Sequence, residues 1–187
     1  MALTRLKITL DEYLSFPETN LPCELIDGEL FMPPAPFLQH QEIVGKLYLI
    51  LFTFISQNRL GKLFLAPVDV ILDVDRLIVV QPDLVYDSKE RASILGKRIQ
   101  GAPDLVVEVF ASEPSRDKTL KLGIYAQYGV REYWLVDPEQ KSVEVRRLEK
   151  AGFEVLGVYR NEDQINSHVL PGLKFKAHEA FDSFQLQ

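Results

Sequence analysis

The stretch GAPDLVVEVF, residues 101–110, decides the fold. Leu105, Val106, Val107, Val109 and Phe110 are apolar at consecutive rather than alternate positions, the pattern of a strand covered on both faces. Glu108 interrupts the run. Burying an unpaired carboxylate is costly or forces it to take a proton. Glu108 therefore sits where the strand reaches solvent, or it has a cation to hold.

Elements can be read outward from this strand. Upstream, TLDE at 9–12 matches a capping box, with Thr9 as N-cap and Glu12 three residues on. The short helix it opens must end before Pro17. In CELIDGELF, Asp27-Gly28 separates two short alternating runs, a strong hairpin signal. A two-residue turn pairs Ile26 with Glu29 and Glu24 with Phe31, so Glu24 and Glu29 project from one face of the ribbon. After PPAP, the segment HQEIVGKLYLILFTFISQN repeats Val44, Leu47, Leu51, Phe54 and Ile55 at helical spacing, with Gly61 as a stop. His40 lies one turn ahead of that stripe.

Two further strand-like runs, LFLAPVDVILD and LIVVQPDLVYD, precede the quoted one. The segment between them and it, SKERASILGKRIQGAP, reads as a loop with a short helix. Downstream, SEPSRDKTLKLGIYAQYGV is helical, with Ser115 as N-cap and Gly129 as stop. REYWLVDP is then a strand, with Tyr133 and Trp134 as packing residues. SVEVRRL and FEVLGVYR form an antiparallel hairpin, and the tail LPGLKFKAHEAF ends in a short amphipathic piece. The order predicts an α/β protein: a mixed sheet with helices on both faces.

The chain has 187 residues, of which 47% are apolar, enough for one well-filled core. Its formal net charge of -6 opposes indiscriminate attraction to nucleic acid or anionic membrane. Cys23 is the one cysteine, which excludes an internal disulfide and suits a buried thiol. His40, His168 and His178 show no zinc-ligand spacing with it. No segment has the apolar core of a signal peptide or of a membrane span, so the expectation is a soluble cytoplasmic protein.

Three acids stand in or beside apolar strands: Asp69, Asp83 and Glu108. Asp83 follows Pro82, which belongs at a strand's start or edge. If the two strands are neighbours, Asp83 and Glu108 converge, and two close carboxylates do not both ionise without a cation. A hard divalent ion, Mg²⁺ or Mn²⁺, suits such oxygen ligands. The plainer reading makes Glu108 an edge residue or an ion-pair partner. Asp69, in the alternating VDVILDVD, is expected to turn towards water. On the following helix Asp117, Lys121 and Tyr125 fall at i, i+4 and i+8, on one face. Lys121 points into the carboxylates or makes a surface pair with Asp117. Lys118 is its rival, and periodicity does not choose between them.

These segments in this order, with ELIDGEL, HQ, APVDV, QPDLVY, GAPDLVVEV, SRDKTLKLGIYAQYGVREYWLVDP and LPGL, resemble the Uma-type endonucleases of the restriction-endonuclease-like PD-(D/E)XK superfamily. The resemblance runs from about residue 10 to residue 180. It implies a helix, a three-strand meander, a helix and a fourth strand over about 40–137. Additions are expected at 9–31 (helix and hairpin) and 141–182 (hairpin and tail), with 1–187 as one domain. Asp83 and Glu108 match the superfamily's metal ligands. Phe110 stands where its lysine belongs, and in the Uma-type pattern that lysine comes from the helix, which favours Lys121. Glu29 and His40 match further site positions, and Glu24 ranks behind Glu29. The implied function is a Mg²⁺- or Mn²⁺-dependent endonuclease acting on DNA, with dimerisation compatible with cutting both strands. Lys89, Arg91, Lys97, Arg98, Arg116 and Lys118 are the phosphate-contact candidates. The alternative is a nuclease fold kept as an inert binding or assembly module, since the net charge is -6 and no basic stripe is dense.

Overall fold

The structure is a computed structural model that describes residues 7–18, 21–110 and 116–182, with the backbone alone for 116–118. Helix α1 (Leu10–Leu14) opens on the expected capping box: Thr9 Oγ1 accepts the Glu12 N–H, and Glu12 Oε2 accepts the Thr9 N–H at 2.7 Å. The ribbon follows as β1 (Glu24–Ile26) and β2 (Glu29–Phe31), with Ile26 opposite Glu29 and Glu24 opposite Phe31. Its turn puts Asp27 at φ 49° and Gly28 at φ 78°, the pair of positive values a tight hairpin needs.

Helix α2 (Leu38–Gln57) buries Val44, Leu47, Leu51 and Ile55 of the stripe read from the sequence, with Ile43 added and Phe54 only partly buried. It ends at Asn58 rather than at Gly61. Gly61 instead opens β3 (Gly61–Leu65), where a Cβ would lie 2.0 Å from the Asp87 carbonyl oxygen.

Each of the two upstream runs is two strands, not one. LFLAPVDVILD divides into β3 and β4 (Val70–Asp73), and LIVVQPDLVYD into β5 (Ile78–Val80) and β6 (Leu84–Ser88). The divisions fall at Pro67 and Pro82, where the missing N–H interrupts the ladder and lets the chain change sheets. The remaining elements are β7 (Ile99–Gln100), β8 (Leu105–Val109), α3 (Arg116–Tyr128), β9 (Glu132–Asp137), β10 (Ser142–Glu149) and β11 (Gly152–Arg160), with short 3-10 helices at Lys89–Ile94 and Ala177–Ala180. Ser115, the expected N-cap of α3, lies outside the described residues.

One sheet has the order β2-β1-β5-β4-β7 and the other β11-β10-β9-β8-β6-β3. In the second sheet β3, β6 and β8 run antiparallel, and α3 crosses over so that β9 lies parallel to β8. The α/β class and the helix, meander, helix, strand core are therefore as expected. One face of this sheet packs Leu84, Val107, Trp134 and Val145 against α2 and the C-terminal Leu170 and Phe175. The other packs Val85, Val106 and Tyr133 against Tyr125 of α3 and Ile78 and Val80 of the first sheet. All five residues of β8 are buried, Glu108 included. Among the described residues, no helix is long and apolar enough to cross a membrane.

Candidate active site

The β6–β8 register pairs Leu84 with Val107, Val85 with Val106 and Tyr86 with Leu105. Carried back one step, it sets Asp83 opposite Glu108 on the same face of the sheet. Asp83 sits just outside β6, where Pro82 ends the ladder, and its Oδ2 accepts the Val109 N–H at 2.8 Å. The first turn of α2 brings His40 Nε2 to 3.2 Å from the same oxygen.

Helix α3 supplies the other side. Lys121 Nζ lies 3.0 Å from Glu24 Oε1 and 3.1 Å from Glu108 Oε1. One turn on, the Tyr125 hydroxyl donates to Glu108 Oε1 at 2.7 Å. Glu24, Glu108 and Lys121 are each 7% exposed and Tyr125 0%. The i, i+4 pair thus points inward, and Lys121 is a buried cation between two carboxylates. The side chains of Asp117 and Lys118 lie outside the described residues. Glu24 is fixed in turn, because its Oε1 accepts the Gln81 N–H at 2.8 Å.

The electrostatics follow from this crowding. Lys121 offers one positive charge to two buried carboxylates, and Asp83 adds a third acid. Burial pushes the Glu108 carboxyl up to about 7; Lys121 opposes the rise, Asp83 and Glu24 add to it, and the Tyr125 hydrogen bond lowers it. Burial and the Glu108 charge raise the Tyr125 hydroxyl well above its ordinary value, so it stays a donor. At His40 burial lowers the pKa, but the hydrogen bond and charge of Asp83, with the Glu108 charge, outweigh it and the net direction is up.

Each facing carboxylate keeps one oxygen to which no described residue donates: Oε2 of Glu108 and Oδ1 of Asp83. Such a pair fits Mg²⁺ or Mn²⁺, which are held by one or two carboxylates and fill their other positions with water and phosphate oxygens. No group of three or more His, Cys, Asp or Glu suited to a metal occurs among the described residues.

Other expected residues stand differently. The sequence ranked Glu29 ahead of Glu24, but the ion pair to Lys121 is Glu24's. Strand β1 lies inside the sheet against β5, whereas β2, which carries Glu29, is its edge. Asp69 does not turn to water. It accepts from the Tyr13 hydroxyl and Gln81 Nε2 at 2.8 Å and from Arg98 Nε at 2.7 Å. Arg91 lies against Asp104, so two of the loop cations already face carboxylates. Gln81 was missed; its signal was a polar residue closing the apolar LIVV run one step before Pro82.

A helix, an antiparallel three-strand meander, a crossover helix and a parallel fourth strand define the restriction-endonuclease-like class. A family model, Uma2, described as "Putative restriction endonuclease", matches residues 10–178. The chain belongs to this Uma2 family. It is also similar to a crystal structure from Anabaena variabilis, described as "a putative nuclease belonging to DUF820". That likeness covers 93% of this chain and 97% of the other at 22% identity and a TM-score of 0.76, and it is a likeness of fold. No match was found among curated proteins.

Proposed function

We propose that the protein is a metal-dependent endonuclease that hydrolyses phosphodiester bonds in DNA. The observation that carries this reading is the Asp83–Glu108 pair, each with an oxygen to which no described residue donates, and Lys121 drawn against Glu108. Asp83 and Glu108 would hold Mg²⁺ or Mn²⁺, which supplies a water of lowered pKa and neutralises charge on a phosphate.

The chain's own groups divide the remaining work. Tyr125 and Lys121 fix Glu108 by its Oε1 and leave Oε2 to the ligand side. Glu24 holds Lys121 in place, and the Lys121 ammonium orients the attacking water and stabilises negative charge at the phosphate. His40, hydrogen-bonded to Asp83, holds the Asp83 carboxylate in position and keeps a proton beside it. Glu29, on the same face of the ribbon as Glu24, supports the site from the sheet edge.

Calorimetric titration of Mn²⁺ and Mg²⁺ into the wild type and Glu108→Ala tests the reading. Saturable binding lost in the variant, with DNA cleavage lost in Lys121→Ala, is the expected result. Absence of binding both with and without DNA overturns it. That outcome selects an inert binding module, a reading favoured by the net charge of -6 and by Arg91 and Arg98 lying against Asp104 and Asp69.

A further inference from the structure

Beside the carboxylates opens a groove of about 830 Å³ that the proposed chemistry does not use. Its floor includes Gln81, whose N–H is held by Glu24, and its wall includes Pro67, which follows the Ala66 whose N–H donates to the Asp83 carbonyl at 3.0 Å. The groove therefore begins within a residue of two acids of the site.

Its lining combines apolar, cationic and acidic groups, the acids being Glu18 at one edge and Asp69. Phe16, Pro67 and Val68 give an apolar wall, and Phe16 is 43% exposed although it is a large aromatic. Lys97 and Arg98 give a cationic one. Asp69, itself gripped by Tyr13 and Gln81, takes the Arg98 Nε, so the guanidinium is anchored while its two terminal nitrogens donate to no described residue. Lys97 is exposed and forms no ion pair among the described residues. An aromatic surface next to fixed and free cations is the pairing that receives unpaired bases and their phosphates. A base within a duplex is stacked on its neighbours and cannot reach such a wall.

We infer that this groove binds a single-stranded nucleic-acid segment flanking the cleaved phosphodiester, with a base against Phe16 and a phosphate at Lys97 and Arg98. The inference rests on the endonuclease reading and narrows its substrate to strands with unpaired nucleotides beside the cut.

The test uses the full chain, Ca²⁺ in place of Mg²⁺, and a short oligothymidylate as single strand or annealed to its complement. The wild type should bind the single strand more tightly than the duplex. Phe16→Ala should bind it about five- to a hundred-fold more weakly. Phe16→Trp should retain binding and lose indole emission as the strand is added, a change distinguishable because the native Trp134 is fully buried. Lys97→Ala should flatten the salt dependence. Preference for duplex, or wild-type affinity in Phe16→Ala with unquenched Phe16→Trp, overturns the groove. Mn²⁺ titration against Glu108→Ala separates the two readings. Metal binding with an indifferent Phe16 leaves the nuclease and removes the groove. Strand binding that needs Phe16 without metal binding leaves the groove and removes the nuclease.

Discussion

Lys121 stands between Glu24 and Glu108, so replacing it leaves two like charges buried without their cation. Lys121→Met is expected to destabilise the fold by about 3–5 kcal/mol in urea unfolding at pH 8. The loss should shrink at pH 5, where Glu108, already pushed up by burial, takes a proton. Restored stability in Lys121→Met combined with Glu24→Gln and Glu108→Gln would assign the loss to charge rather than to packing. Asp87 makes a second prediction at this scale. It is fully buried, neither carboxylate oxygen has a hydrogen-bond partner among the described residues, and burial, with the Asp104 charge adding and Arg91 opposing, pushes it up to about 7. Between its ordinary value and about 7 the folded chain holds this proton more tightly than the unfolded one, so stability falls as pH rises through that window. Asp87→Asn should stabilise on the order of 2–4 kcal/mol at pH 8, seen as a higher Tm, and by clearly less at pH 5.

At the scale of elements, the approach of β3 to β6 depends on a missing side chain. A Cβ at Gly61 would lie 2.0 Å from the Asp87 carbonyl oxygen and 2.8 Å from the Ser88 Cα, both backbone atoms that move only with their strand. Gly61→Ala is expected to cost about 3 kcal/mol or more and to lower Tm by several degrees. An unchanged Tm would show that β3 can slide on β6 without loss. The same two strands show how proline divides runs that hydropathy joins. Pro67 and Pro82 each end a ladder, and the chain crosses from one sheet to the other at those points. The crossing is what sets Asp83 at the mouth of β6 rather than in the middle of a long strand.

For the whole molecule, the two sheets are interleaved in the chain: β4 and β5 of the first lie between β3 and β6 of the second. Neither sheet is a continuous segment, so neither can unfold without pulling on the other. We propose that the chain is one domain, and expect its urea unfolding to follow a single transition. Far-ultraviolet dichroism and Trp134 emission should give coincident midpoints. Two separated midpoints would divide the chain into units and refute this.

Sequence alone determined whatever local chemistry dictates. The Thr9 capping box, the Asp27-Gly28 turn with its register, the buried stripe of α2 and the doubly covered β8 each follow from propensities and periods within a few neighbouring residues. The element order, read together with the spaced motifs, gave the class of fold and put Asp83, Glu108 and Lys121 forward. Tertiary structure decided what no local rule contains. The division of two apolar runs between sheets depends on where a partner strand lies. The contact of Glu24 with Lys121 depends on β1 lying inside its sheet with β2 at the edge. Asp69 turned inward because Tyr13, Gln81 and Arg98, all distant in sequence, converge on it. A carboxylate's role is set by the charges and donors that surround it, and those arrive from parts of the chain that only the folded structure brings together.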